Sequence, residues 1–210
     1  MARFVLLHGL AGQPEQWRYL QDVLEGRGHD ALALRLPRGT WDAEVGFVRD
    51  HVDGDTIVVG HSLGGVLVRV FAEAHPGVVK GLATIAAPTP SFNPEWIGEL
   101  GRWDEFGWKP HDIRRWLDRA FPGSPDELSD LPWEHPHLRG EIVVGDGPGD
   151  EPRLAIVCEG DEAIPYAEQQ RAAADFRAPT ASVPGGHSPH VRHPALVATL
   201  LINWLAPESA

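Results

Sequence analysis

A serine in a glycine-flanked turn is the strongest chemical signal in this chain of 210 residues. Ser62 is the centre of a Gly-x-Ser-x-Gly motif at 60–64, which follows the β-rich run 56–59 and precedes the helix-compatible stretch 66–74. A strand, a sharp turn and a helix in this order lift a serine hydroxyl out of the backbone, where it can act as a nucleophile. The glycines permit the tight turn, and the positive end of the following helix favours a developing oxyanion.

A serine hydroxyl is unreactive without an adjacent base, so a histidine must reach Ser62. The C-terminal region offers His187, His190 and His193 at three-residue intervals. His187 directly follows the predicted strand 180–184 and is the favoured base. His190 is predicted to be a loop or supporting residue, and His193 a helix-cap or surface residue.

An acid that orients this histidine could come from three carboxylates, Glu159, Asp161 and Glu162, which follow the apolar run 154–158. A loop at the carboxyl end of that predicted strand can present a carboxylate at the top of a parallel sheet. His61 adjoins the serine, but neighbouring side chains diverge on a sharp turn, so His61 is predicted to pack beneath it.

Together these segments resemble the α/β-hydrolase family, and more narrowly its small bacterial and plant esterases related to methylesterases and hydroxynitrile lyases. The resemblance covers the chain to about residue 88 and again from about 153 to 205. The matching motifs lie at 4–9, with Trp17 downstream, and at 59–65, 161–165 and 186–189.

The resemblance implies a role for each candidate. Asp161 matches the family's Asp-x-x-Ile-Pro pattern, so it becomes the acid that orients His187, the base for Ser62. The backbone N–H groups of Leu10 and Leu63 become the oxyanion hole, while His8 is a turn residue. The implied reaction needs no cofactor.

Alternating strand and helix patterns predict one α/β domain over residues 1–210, with a mostly parallel sheet of about six strands and helices on both faces. The implied architecture is the α/β-hydrolase fold with an inserted cap. The predicted strands are 3–7, 30–36, 55–60, 79–86, 153–158 and 180–184. The predicted helices are 14–25, 41–52, 63–74, 165–175 and 194–205.

The alternation stops between about residues 88 and 152, and in the family such an insert forms a cap, or lid, over the active site. Short helices are predicted near 94–103 and 111–121. Some of the cap tryptophans are expected to line an apolar substrate pocket, while most attach the cap to the sheet. These tryptophans are Trp96, Trp103, Trp108, Trp116 and Trp133.

Composition narrows the function classes. A net charge of −12 argues against binding nucleic acid or an anionic membrane surface. No apolar run reaches membrane-spanning length, the chain enters a strand at once rather than a signal peptide, and the single cysteine, Cys158, fits a reducing cytoplasm. The histidine series at 187–193 and the pair at 135 and 137 lack an accompanying ligand cluster, so no metal is predicted. The oligomeric state is left open.

The expected activity is hydrolysis of a small to medium apolar carboxylic ester through an acyl-enzyme. A thioesterase, a lactonase or an acyltransferase could use the same residues. A hydroxynitrile lyase of the resembled type uses a cap lysine, and Lys109 is the only lysine in this cap. A small-molecule receptor on the same scaffold is the alternative from another class.

Overall fold

The computed structural model describes residues 1–10, 12–37, 39–92 and 149–204. Most of the predicted cap, including its two helices, its five tryptophans and Lys109, lies outside the described residues.

Six strands form one sheet in the order β2-β1-β3-β4-β5-β6. All five neighbouring pairs are parallel. The strands are β1 (Arg3–Leu7), β2 (Asp30–Leu34), β3 (Thr56–His61), β4 (Gly81–Ile85), β5 (Arg153–Cys158) and β6 (Thr180–Val183).

Helices connect these strands and cover both faces of the sheet. A 3-10 helix, Pro14–Trp17, leads directly into the first α-helix. The α-helices of the described residues are α1 (Arg18–Gly26), α2 (Trp41–Arg49), α3 (Leu63–Ala74), α4 (Tyr166–Asp175), α5 (Pro189–Arg192) and α6 (Pro194–Trp204).

The core is two apolar layers, one on each face of the sheet, because successive strand side chains point to opposite faces. Along β1, Val5 and Leu7 join the layer that α2, α3 and α4 cover. Phe4 and Leu6 join the layer that α1 and α6 cover. The inner strands are therefore apolar at nearly every position, as expected for a parallel sheet covered on both faces.

The strand order brings the predicted motifs together. β1 and β3 are neighbours, with Leu7 opposite Gly60, so the turn after β1 lies beside the turn after β3. β5 and β6 are neighbours, with Cys158 opposite Val183, so the loops that carry Asp161 and His187 are also adjacent. All four loops lie at the carboxyl edge of the sheet, where open α/β sheets bind their ligands.

The predicted fold class is confirmed, with differences at element ends. The single helix predicted at 14–25 is a 3-10 turn followed by an α-helix. The helix predicted at 41–52 ends at Arg49, and the short helix α5 was not predicted. Element ends depend on local capping and fray readily, which hydrophobic periodicity does not register.

The stability of the fold should depend on the absence of a side chain at Gly64. A Cβ there would lie 2.3 Å from the Leu7 carbonyl oxygen and 2.6 Å from the His8 carbonyl oxygen. Both are backbone atoms at the end of β1, which cannot easily move away. Gly64→Ala should lower the free energy of unfolding by about 1–3 kcal/mol or more, measured by urea denaturation. Gly46→Ala is the matched control, because a Cβ in that exposed part of α2 meets nothing within 4 Å. It should raise stability by about 0.4–1 kcal/mol, and equal effects of the two changes would contradict the close approach.

Candidate active site

Ser62 occupies a strained turn between β3 and α3. Its backbone has φ 53° and ψ −121°, a conformation that side-chain-bearing residues rarely adopt. Two hydrogen bonds hold the turn: the Ser62 N–H donates to the Ile85 carbonyl at 2.9 Å, and the Gly65 N–H donates to the Ser62 carbonyl at 2.9 Å. Strain of this kind persists only where the surroundings over-determine it, and it is concentrated at functional sites.

The motif glycines are required by close backbone approach. A Cβ at Gly60 would lie 2.1 Å from the Gly64 carbonyl oxygen, and one at Gly65 would lie 2.5 Å from the Ala87 Cβ. The start of α3 therefore packs closely on the end of β3 and on Ala87, with no room for a side chain at either glycine. This contact points the N-terminus of α3 at the space beside Ser62.

The turn after β1 lies against this elbow. A Cβ built on Gly9 would be only 3.0 Å from the Ser62 Cβ, so the turn that leads from Gly9 into Leu10 begins beside the serine. Leu63 is the first residue of α3, and the first N–H groups of a helix have no acceptor within it. Both predicted oxyanion donors thus belong to segments that meet at Ser62.

Asp161 follows β5 and has a buried, fully engaged carboxylate. Its Oδ1 accepts hydrogen bonds from the Ala163 N–H at 2.8 Å and the Ile164 N–H at 3.0 Å. Its Oδ2 faces His187 Nδ1 at 2.8 Å and Gln169 Nε2 at 3.0 Å. A carboxylate with this many donors around it is held in one orientation.

His187 follows β6 and pairs with Asp161 across the β5–β6 boundary. The Asp161 side chain is inaccessible to solvent, whereas that of His187 is 24% exposed. Because a carboxylate surrounded by donors accepts, Nδ1 of His187 carries a proton, and Nε2 lies on the opposite side of the ring. The structure therefore brings together the predicted acid and base.

Gln169 on α4 is a contributor that the sequence reasoning missed. Its Oε1 accepts from the Cys158 N–H at 2.8 Å, while its Nε2 donates to the Ile164 carbonyl at 2.7 Å as well as to Asp161. The side chain thus connects the end of β5 to the Asp161 loop. The available signal was a polar residue on the same helix face as the buried Ala172 and Ala173.

A stack of aromatic rings lies next to His187. His61 is 4.7 Å from the His187 ring and 4.4 Å from the His190 ring, measured between centroids, and His190 is 4.4 Å from Trp17. Burial lowers the pKa of His190 to about 3, and burial also holds the pKa of His61 well below its usual value, so both rings are neutral near pH 7. His190, expected in a loop or as a supporting residue, lies in α5 and is fully enclosed in this stack.

The competing residues are located elsewhere. Glu159 and Glu162 are exposed to solvent. His193 is half-buried between α5 and α6, with its Nε2 close to Gly185. Burial raises the pKa of the Cys158 thiol, which disfavours the thiolate and makes this cysteine a poor nucleophile.

The described residues contain neither a metal-binding cluster of three or more ligands nor a membrane-spanning helix. Within the described ranges, no group of three or more histidine, cysteine or carboxylate residues could hold a metal ion, while His135 and His137 lie outside those ranges. In the same part of the chain, no helix is both long and apolar enough to cross a membrane.

The chain resembles known hydrolases in both sequence and fold. A pyrethroid hydrolase of Sphingobium wenxiniae is 25% identical over 252 residues, covering 95% of this chain and 86% of that protein. Methylesterase 7 of Arabidopsis thaliana is 26% identical over 218 residues, covering 83% of this chain and 84% of that protein. The solved structure of an extracellular alpha/beta-hydrolase from a Paenibacillus species matches with a TM-score of 0.78 at 18% identity, covering 97% of this chain and 98% of that one. A model of the alpha/beta hydrolase family matches residues 4–200, and the chain therefore belongs to the alpha/beta hydrolase family.

Proposed function

We propose that this protein is a serine esterase that cleaves small to medium apolar carboxylic esters through an acyl-enzyme. The observation that carries the proposal is the hydrogen-bonded pair of His187 Nδ1 and Asp161 Oδ2, which are 2.8 Å apart. The main chain of His187 is in turn bonded to His61, the residue before the strained Ser62. A buried acid, a partly exposed histidine and a strained serine are the components of nucleophilic acyl transfer.

In the proposed first half-reaction, Ser62 Oγ attacks the ester carbonyl carbon while His187 Nε2 takes the hydroxyl proton. The carbonyl oxygen becomes an oxyanion that accepts hydrogen bonds from the N–H groups of Leu10 and Leu63. Removing one such donor typically costs about 10²–10³ in rate. The C–O bond of the ester then breaks, His187 returns its proton to the leaving alkoxide, and the acyl group remains on Ser62.

In the second half-reaction, water takes the place of the alcohol. His187 removes a proton from water, the hydroxide attacks the acyl carbonyl, and the same two N–H groups hold the second oxyanion. Collapse releases the acid and returns the proton to Ser62. Asp161 keeps the proton of His187 on Nδ1 throughout, so Nε2 is free to accept in both half-reactions.

Relatives support ester chemistry and leave the substrate open. Two of them are named as a pyrethroid hydrolase and a methylesterase, both names for hydrolytic enzymes. A thioester, a lactone or an acyl acceptor other than water would use the same atoms of the protein. The choice of an apolar ester therefore rests on the tryptophan-rich segment and on the negative net charge.

We further propose that residues 88–152 form a cap over Ser62 within a single domain, with one or more of the five cap tryptophans contacting the acyl group. The described residue Thr89 supports the start of such a cap: its N–H and Oγ1 donate to the buried Glu168 carboxylate at 2.9 and 2.6 Å. The proposed cellular location is the cytoplasm, on the basis of the single, unpaired Cys158, although one structural neighbour is described as extracellular.

Replacing Ser62 should abolish ester turnover without unfolding the protein. Ser62→Ala should lower kcat for p-nitrophenyl esters by several orders of magnitude, because the members of a nucleophilic triad act as a unit. A serine-directed phosphonate should label Ser62 alone. Ser182→Ala, at an exposed serine of β6, is the matched control and should keep its activity. Substantial turnover in Ser62→Ala would reject the mechanism, and binding without turnover by the wild type would support the receptor alternative.

Replacing His187 should be as damaging as replacing Ser62. His187→Ala removes the proposed base and should reduce kcat by a similar factor in the same assay. His193→Ala is the control, because His193 packs near Gly185 and not on the Asp161 carboxylate. An inactive His193→Ala with an active His187→Ala would mean that the base has been assigned wrongly.

Changing Asp161 to its amide should be severe for a reason visible in the hydrogen bonds. Two backbone N–H groups face Oδ1, so the oxygen of an asparagine must remain there, and its NH₂ group must then face His187 Nδ1. This arrangement favours the wrong tautomer of the base, and kcat should fall by about 10⁴. Glu162→Gln makes the same chemical change at an exposed neighbour and should have little effect. Comparable kcat values for the two variants would remove Asp161 from the mechanism.

A further inference from the structure

His61, the last residue of β3, is bonded to the loop that carries His187. Its Nε2 lies 2.7 Å from the backbone carbonyl oxygen of His187, 126 residues later in the chain. Because a carbonyl oxygen only accepts, His61 donates from Nε2. The His61 side chain therefore connects the residue before Ser62 directly to the main chain of His187.

The loop between β6 and α5 needs such a connection. It contains Gly185, with φ 95°, and Gly186, two residues that restrict the backbone little. The Gly160 N–H holds one end of the loop by donating to the Gly185 carbonyl at 2.9 Å. The Asp161 contact orients the His187 ring, but a ring contact does not set the position of the main chain that carries it. The His61 bond acts at that main chain.

The charge of the surroundings suits this role. His61 is packed among other histidines, since His187 and His190 stack on it and His8 lies within electrostatic range. A charged His61 would repel the imidazolium that His187 forms during proton transfer. Burial keeps His61 neutral, so it can donate a hydrogen bond without adding positive charge next to the base.

We propose that His61 is a positioning residue: as a neutral Nε2–H donor to the His187 carbonyl, it fixes the separation between the base and Ser62. This inference rests on the proposed function, because the separation matters only if Ser62 and His187 do the chemistry. His61 itself touches no reacting atom in this role. Displacing a reacting group by about 1 Å can cost about 10²-fold in rate.

Two variants separate the hydrogen bond from ring packing. His61→Phe keeps a flat ring of similar size in the stack but cannot donate, whereas His61→Gln loses the ring and places an amide donor near the former Nε2. With p-nitrophenyl butyrate, His61→Phe should lose about 10²-fold in kcat with little change in KM, and His61→Gln should recover most of that loss. A packing role predicts the reverse order, with the phenylalanine variant the more active.

A matched control comes from the same stack. His190 is as deeply buried, lies 4.4 Å from the His61 ring, and has no hydrogen-bond partner for Nδ1 among the described residues. His190→Phe should therefore keep most of its kcat. Thermal unfolding of each variant checks that the compared proteins are folded.

The wild-type protein provides a test that does not depend on the folding of a variant. With ¹⁵N-labelled histidine, NMR at pH 7 should show His61 as the neutral tautomer protonated at Nε2. A proton on Nδ1 alone, or on both nitrogens, would overturn the proposal.

The proposed function and the role of His61 can be disproved separately. If Ser62→Ala and His187→Ala are inactive while His61→Phe keeps the wild-type kcat, only the role of His61 is overturned. If Ser62→Ala keeps substantial turnover, the proposed function is overturned and the role of His61 with it.

Discussion

The contact between the first turn of α3 and the ends of β1 and β3 is the constraint on which the rest of the site depends. Gly60 and Gly64 let backbone meet backbone there, and a Cβ at either position would penetrate a neighbour. The same contact forces the positive φ of Ser62 and points the start of α3 at the serine. Strain at one residue is thus maintained by packing distributed over three elements.

A second, polar assembly completes the site from the other half of the sheet. Asp161 and His187 come from loops after adjacent parallel strands, so the β5–β6 pairing determines their distance. Gln169 on α4 also donates to Asp161, so the Asp161 carboxylate has four donors around it. Buried polar networks are stabilising only when their members are satisfied, and Gln169 meets this condition by bonding both to Asp161 and to the end of β5.

His61 links the two assemblies. His61 is the last residue of β3, and its side chain hydrogen-bonds to the loop that carries His187. His61 and His190 are buried and uncharged, whereas the His187 side chain is 24% exposed. Burial therefore distinguishes residues of the same type within one cluster.

The sequence by itself determined which residues stand at the ends of strands. Ser62, Asp161 and His187 each follow a β-rich run, a signal that can be read from adjacent residues, and the alternating pattern was enough for the α/β class. Only the tertiary structure decided that His61 bonds to His187, that Gln169 reaches Asp161, and that His190 is enclosed rather than in a loop. These contacts depend on which strands become neighbours in the order β2-β1-β3-β4-β5-β6. That order results from packing and hydrogen bonding between segments far apart in the chain, and no local pattern of residues encodes it.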